Sequence, residues 1–225
     1  MAIILNLETT TQNCSVSICQ DGKTISLVEE LSEEYSHDQN LHRFVKWALE
    51  GANLSLKDLN AIAVSKGPGS YTGLRIGTSA AKGYCLGLGI PLLGIETLMA
   101  LSISQELEKL EPTEIISVLD ARRMEVYTQT FSVNTGERSE VLAKIIDETS
   151  FSEFSNKPVM IGVGTEKCKN IMANKQFVYL EKYPSAEQMS KLSYEKFIQS
   201  DFEDLAYFEP FYLKEFQTQT KKDKT

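Results

Sequence analysis

Three stretches of the 225-residue sequence hold residue types that could do chemistry. Gly67-Pro68-Gly69-Ser70-Tyr71-Thr72-Gly73 is a glycine-rich turn ahead of a helical pattern. Successive backbone N–H groups in such a turn can hold an anion. The turn is not a phosphate loop of the form GxxxxGK followed by Ser or Thr, because Leu74 and Arg75 follow Gly73. The other reading is that Gly69, Gly73 and Gly77 let the backbone turn and a neighbouring element come close, with Arg75 a surface ion-pair or interface residue. Glu8-Thr9-Thr10 puts hydroxyls at the end of an apolar run, where a phosphate could be met, but a Glu8 carboxylate would repel it. Gly162 and Gly164 form a further glycine turn with the same two readings, nucleotide contact or chain reversal. Thr9, Thr10, Gly69, Gly162 and Gly164 are therefore the candidate anion contacts.

Other chemistries find no residues to carry them. His37 and His42 are five apart on a predicted helix, about 140° around its axis at about 100° per residue, and cannot face one ion. Cys14, Cys19, Cys85 and Cys168 contain no CxxC pair and read as reduced, packed thiols. No GxSxG elbow occurs. No catalytic residue and no metal ligand is assigned.

The elements that must position these turns follow from periodicity. Ile3 to Leu7 reads as a buried strand, Ser15 to Ile18 as an alternating one, and Asp21-Gly22 as the hairpin turn into a third strand from Lys23 to about Glu29. Ser36 and Gln39 form a plausible capping box for a helix with Leu41, Phe44, Val45, Ala48 and Leu49 on one stripe. Trp47, the sole tryptophan, lies about 120° from Leu41 on that wheel. It marks either a second apolar surface of the kind enriched at interfaces or a site under the next loop. Ala61 to Val64 is a strand, and the helix after the glycine turn runs to about Leu88. That helix carries Gly73, Gly77, Ala80, Ala81, Gly83 and Gly87, and its glycines cost helical propensity that close packing must offset. A strand from Ile90 to Ile95, a helix from Thr97 to Leu110 and a boundary at Glu111-Pro112 complete the first half.

The pattern then restarts, with an apolar strand from Glu114 to Leu119, the turn Asp120-Ala121-Arg122-Arg123 and an alternating strand from Glu125 to Phe131. Asp120 and Glu125 could brace Arg122 and Arg123 across the turn, or the turn is a solvated or ion-paired hairpin. A strand and glycine turn at Pro158 to Thr165 and a helix from Ser185 through Phe197 follow. An acidic residue, Glu8 or Asp120, closes the first strand of each half with a hairpin after it, as in an internal duplication.

At 42% hydrophobic residues, 225 residues suit one compact unit of two lobes. No window approaches the roughly 20 apolar residues that span a bilayer, so a soluble, cytoplasmic protein without a membrane partner is expected. The net charge of −8 opposes this chain alone gripping a nucleic-acid backbone. Lys221, Lys222 and Lys224, after the polar run Gln217 to Thr220, read as a solvated terminus.

Four segments, in order, resemble the TsaB family: Leu7-Glu8-Thr9-Thr10, Lys66 to Gly77 with Ala81-Lys82-Gly83, Asp120 to Tyr127, and Pro210-Phe211-Tyr212-Leu213-Lys214, where Lys214 replaces the family's Arg. The resemblance implies an α/β, two-lobed actin-like ATPase (ASKHA) fold, internally duplicated with a shortened second lobe. The expected lobes are 1–110, onto which 205–225 could pack back, and 111–204. It further implies a non-catalytic scaffold in tRNA threonylcarbamoyladenosine synthesis, paired with the metal-binding transferase TsaD, joined by the ATPase TsaE, homodimeric in isolation and touching tRNA only through the complex. In TsaD-like sequences an HxxxH pair ligates the metal, and those positions here are Thr97 and Leu101. No cofactor is expected, beyond ATP or ADP at a complex interface. The implied partner surface lies on the first two helices at His37, Leu41, Val45, Trp47, Arg75, Ile76, Ser79 and Gly83. The competing readings are a stand-alone small ATPase or sugar-kinase-like phosphotransferase and, with no metal or nucleophile behind it, a glycoprotein peptidase.

Overall fold

The computed structural model describes residues 1–32, 37–154, 157–172 and 176–214. The expected Ser36 cap and the lysines of the tail lie outside the described residues. Strands β1 (Ile3–Glu8), β2 (Asn13–Gln20) and β3 (Lys23–Leu31) form a meander. Asp21 and Gly22 both take positive φ at the β2–β3 turn, as an Asp-Gly hairpin requires. Helix α1 (His37–Gly51) leads to β4 (Ala61–Gly67), α2 (Tyr71–Leu88) and β5 (Leu92–Glu96). Short helices α3 (Thr97–Ser102) and α4 (Gln105–Glu108) connect to β6 (Glu114–Asp120), β7 (Glu125–Ser132) and β8 (Leu142–Ile145). The chain continues through β9 (Val159–Ile161), α5 (Thr165–Ile171), β10 (Val178–Leu180) and α6 (Ala186–Ile198).

The two sheets repeat one topology. The first has the order β3-β2-β1-β4-β5 and the second β10-β9-β6-β7-β8, the same wiring viewed from the other edge. In each, the opening strand pairs antiparallel with the next and parallel with the fourth. That is the internal duplication expected from Glu8 and Asp120. The second copy is shortened where the first is longest: β9 and β10 have 3 residues each, and α5 has 7 against the 18 of α2.

Alternation along β1 and β4 sorts side chains to two faces of the first sheet. Leu5, Leu7, Ile62 and Val64 meet Leu41, Phe44, Val45, Ala48, Ala81 and Cys85 of α1 and α2. Ile4, Ala61, Ala63, Leu93 and Ile95 meet Ala100 of α3 and Ala186 and Met189 of α6. Helix α6 therefore packs on the first sheet, although its numbers fall in the span 111–204 expected for the smaller lobe. Ser185 and Gln188 form its capping box, with Glu187 N donating to Ser185 Oγ at 3.2 Å.

The single helix expected from Thr97 to Leu110 is broken in two. Ser102 Oγ donates to Met99 O at 2.8 Å, and Ser104 precedes the second piece, its Oγ accepting from Gln188 Nε2 at 2.7 Å. Serine hydroxyls compete with the helical backbone in this way. Residues 203–214 form a strap across both halves. Glu203 N donates to Leu92 O, Phe208 enters the α1–α2 core, Phe211 N donates to Lys66 O, and Lys214 pairs with Glu125 of β7.

Candidate functional site

The glycine turn before α2 is packed against the β1–β2 turn. Ser70 N donates to Thr10 O at 2.7 Å, Thr9 Oγ1 donates to Gly73 O at 2.7 Å, and Gly73 N donates to the Ser70 hydroxyl at 3.3 Å. A Cβ on Gly73 would sit 1.9 Å from Thr9 O, one on Gly77 2.4 Å from Thr9 Oγ1, and one on Gly69 2.5 Å from Thr10 Cβ. The three glycines exist for this contact. The Ser70 and Gly73 N–H groups that an anion would use are thus taken by the chain itself.

Glu8 is fully buried beneath them. Its carboxyl accepts from Thr10 N at 2.5 Å, from Thr10 Oγ1 at 2.6 Å and from the Ser65 hydroxyl. Burial pushes its pKa above the ordinary 4.5, and the bonds from Ser65 and Thr10 only partly oppose the shift. A group whose folded pKa is raised binds more protons folded than unfolded, so wild-type stability falls as pH rises above about 4.5. Glu8→Gln keeps the acceptor toward Thr10 and removes that titration. Its melting temperature relative to wild type should therefore climb from pH 4 to pH 8. A constant difference in circular-dichroism melts would mean that folding does not raise the Glu8 pKa.

The second glycine turn is used in the same way. Gly162 has φ +125° and a Cβ there would lie 1.9 Å from Val118 O, while one on Gly164 would lie 3.1 Å from Val126 Cγ1. Across from it, the β6–β7 turn is an ion-paired hairpin. Asp120 Oδ1 receives Lys167 Nζ at 2.8 Å and the backbone N–H of Arg122 at 2.6 Å, and Glu125 pairs with Lys214, so the two carboxylates hold lysine side chains and not the guanidinium groups of Arg122 and Arg123. Both arginines take positive φ, 69° and 50°, and are exposed. A non-glycine residue in that conformation costs roughly 1–2 kcal/mol.

Between α1 and α2 lies an open groove of about 620 Å³. His37, Leu41, Arg75, Ile76, Ser79 and Gly83, all singled out from sequence, line it. His37 and Leu41 are 1% and 0% exposed and form its floor, while Arg75, Ser79 and Gly83 are its exposed rim. Burial lowers the His37 pKa, and its Nε2 lies 2.7 Å from Thr11 O. His42 Nδ1 and Tyr84 OH, 2.8 Å apart, tie the two helices together inside the groove; the sequence weighs His42 only as a metal ligand and does not single out Tyr84. Arg75 stacks over the Tyr71 ring at 4.5 Å. Val45 and Trp47 do not line the groove. Val45 is core, and Trp47, 43% exposed, stacks on Phe44 at 5.7 Å under the guanidinium of Arg43.

The glycines of α2 divide in two. Gly73 and Gly77 face the β1–β2 turn, whereas a Cβ at Gly83 or Gly87 would meet nothing within 4 Å. Among the described residues no contact accounts for the outer pair.

At α3, the positions compared above with the metal pair of TsaD-like sequences, Thr97 and Leu101 are both fully buried. Leu101 is packed among Leu98, Ile115 and Ile161. One hydroxyl and one isobutyl group are not a donor set for a metal. No cluster of three His, Cys, Asp or Glu capable of holding an ion occurs among the described residues. Burial pushes the thiols of Cys14, Cys85 and Cys168 up to about 12, away from nucleophilic use.

Fold and site together define a duplicated, two-lobed α/β protein of the actin-like ATPase fold, with its glycine turn closed from within and a groove on its outer helix pair. Residues 31–220 match the family described as "TsaD: tRNA N6-adenosine threonylcarbamoyltransferase". The chain is 30% identical over 221 residues to the tRNA threonylcarbamoyladenosine biosynthesis protein TsaB of Escherichia coli, covering 94% of each. It is 34% identical over 173 residues to the protein of the same name in Buchnera aphidicola subsp. Schizaphis graminum, covering 74% of this chain and 81% of that one. It belongs to the TsaB family. The tRNA N6-adenosine threonylcarbamoyltransferase of Thermosipho africanus is 28% identical over 179 residues, and the match spans 53% of that protein. YeaZ from Pseudomonas aeruginosa has the same fold, with a TM-score of 0.82 at 24% identity over 95% of this chain and 100% of that chain.

Proposed function

We propose that this chain serves tRNA threonylcarbamoyladenosine biosynthesis as a non-catalytic subunit that docks on the transferase TsaD through the α1–α2 groove. A second copy of the chain takes the same surface when TsaD is absent. The observation that carries this reading is the outward pair Gly83 and Gly87, where an added Cβ would meet no other element within 4 Å among the described residues. Each costs about 1 kcal/mol relative to alanine in a helix. A helix of another subunit, whose approach distance depends on the side chains at the contact, is what such a gap accommodates. Recruitment of the ATPase TsaE, a cytoplasmic location and tRNA held chiefly by other subunits belong to the same reading.

The non-catalytic part is supported by the unreactive thiols and by Thr97 and Leu101 at the metal positions. A stand-alone ATPase or sugar kinase would need the glycine turn open, and Thr9, Thr10 and Gly69 are spent on closing it. Calorimetric titration of the chain into TsaD tests the docking. Saturable binding that competes with self-association is expected. No heat and no co-migration would contradict it, and ATP turnover by the isolated chain would favour the kinase reading.

A further inference from the structure

The β6–β7 turn places two arginines in a backbone conformation that costs each of them energy. Arg122 and Arg123 stand consecutively at φ 69° and 50°, the region where glycine or asparagine would be unstrained. Backbone strain of this kind persists where the surroundings or a ligand make use of it. The turn is held in place by its neighbours: Arg122 N donates to Asp120 Oδ1 at 2.6 Å, and Ala121 N donates to Glu125 O at 3.0 Å. Lys167 Nζ reaches both Asp120 Oδ1 and Glu125 O, and Lys214 takes the Glu125 carboxylate.

Those pairings decide the charge of the turn. Both local carboxylates are matched by lysines, and among the described residues no carboxylate pairs with the guanidinium groups of Arg122 and Arg123, which stand exposed in a chain of net charge −8. Arginine presents a planar fork that fits phosphate in a bidentate fashion. The surroundings continue the pattern. Met124 is 51% exposed beside the arginines, and Lys214 follows Tyr212, whose ring lies 5.0 Å from that of Tyr71. Arg75 in turn covers Tyr71. The partly exposed rings of Tyr212 and Tyr71 thus extend from the turn along the strap to the start of α2, and unpaired arginine charge beside aromatic surface is a mixture suited to a nucleic-acid backbone and unstacked bases.

We propose that Arg122 and Arg123 contact the sugar–phosphate backbone of the RNA being modified, with the chain held beside that RNA by the transferase. The inference rests on the docking proposed above, since at physiological salt a chain of net charge −8 does not retain RNA through two arginines alone. The turn adds affinity and orientation to an RNA held mainly by the partner.

The test is tRNA binding by the assembled complex with TsaD, followed by fluorescence anisotropy across a series of KCl concentrations. Arg122→Ala/Arg123→Ala should lower affinity about tenfold at low salt and flatten the plot of log K against log salt by about 1 to 2, the loss of two phosphate contacts. Arg122→Gly/Arg123→Gly should lose the same affinity while melting at a higher temperature, because glycine relieves the strain. A merely structural turn would not combine those two effects. Unchanged affinity and slope in both variants would overturn the proposal. So would variants that weaken assembly with TsaD but leave tRNA affinity intact, which would make the turn a protein contact. Failure of the wild-type complex to assemble would defeat the docking and not the turn. The isolated chain at low salt then serves, with weak tRNA binding expected that both variants abolish, and no difference between the three proteins counting against it.

Discussion

Gly73→Ala and Gly83→Ala, the same substitution ten positions apart on one helix, should move thermal stability in opposite directions. At Gly73 a methyl group would lie 1.9 Å from the Thr9 carbonyl oxygen, and both partners are backbone that cannot step aside without parting α2 from the β1–β2 turn. Overpacking of a rigid contact costs about 3 kcal/mol or more. For a chain of this length that lowers the melting temperature by roughly 6–12 °C. At Gly83 the methyl group enters open space, and the helix gains about 0.5–1 kcal/mol, or roughly 1–4 °C. The same Gly83→Ala change should weaken association with the partner subunit, since the gap it fills is the one proposed for the approaching helix. Calorimetric melts and a binding titration on one preparation check both. A variant more stable and equally tight in binding would mean that the gap at Gly83 serves nothing.

Ser79→Arg should lower the affinity for TsaD at least about 30-fold, a loss of 2 kcal/mol or more at a central contact. Ser79 is exposed on the rim of the groove, so the fold loses no packing. The introduced guanidinium would stand one helical turn from Arg75, adding like-charge repulsion to steric block. Ile76→Arg should act in the same direction, but Ile76 is half-buried against the α1–α2 core and that variant also costs stability. Ser79→Arg with unaltered melting and unaltered binding would remove the groove from the interface.

Much of the fold was legible in the sequence because its signals are local. The apolar runs of β1, β4 and β6, the Asp21-Gly22 hairpin and the acidic residue at the end of each opening strand are properties of a few adjacent residues. The helical stripe of α1 likewise separated Leu41 and Val45 from Trp47, though it could not say that Val45 is wholly core and Trp47 lies off the groove. What escaped was long-range. Asp120 and Glu125 lie close to Arg122 and Arg123 in sequence, yet their partners are Lys167 and Lys214, 47 and 89 positions away. The docking of α6 on the first sheet and the course of the 203–214 strap are likewise set by contacts between distant segments. The break between α3 and α4 depends on Ser104 meeting Gln188, which no window on 97–110 contains. The division of the α2 glycines into an inward and an outward pair required knowing where Thr9 is, because spacing alone treats them as one stripe.

The account stands or falls on whether the α1–α2 face serves a transferase that this chain cannot replace. The direct measurement is tRNA threonylcarbamoylation reconstituted from TsaD, TsaE and the enzyme that makes the threonylcarbamoyl donor, with this chain added, omitted, or added as Ser79→Arg. Activity that depends on the wild-type chain, is absent with the chain alone, and collapses with Ser79→Arg is the expected result. Full activity without the chain, or full activity with Ser79→Arg, would contradict it.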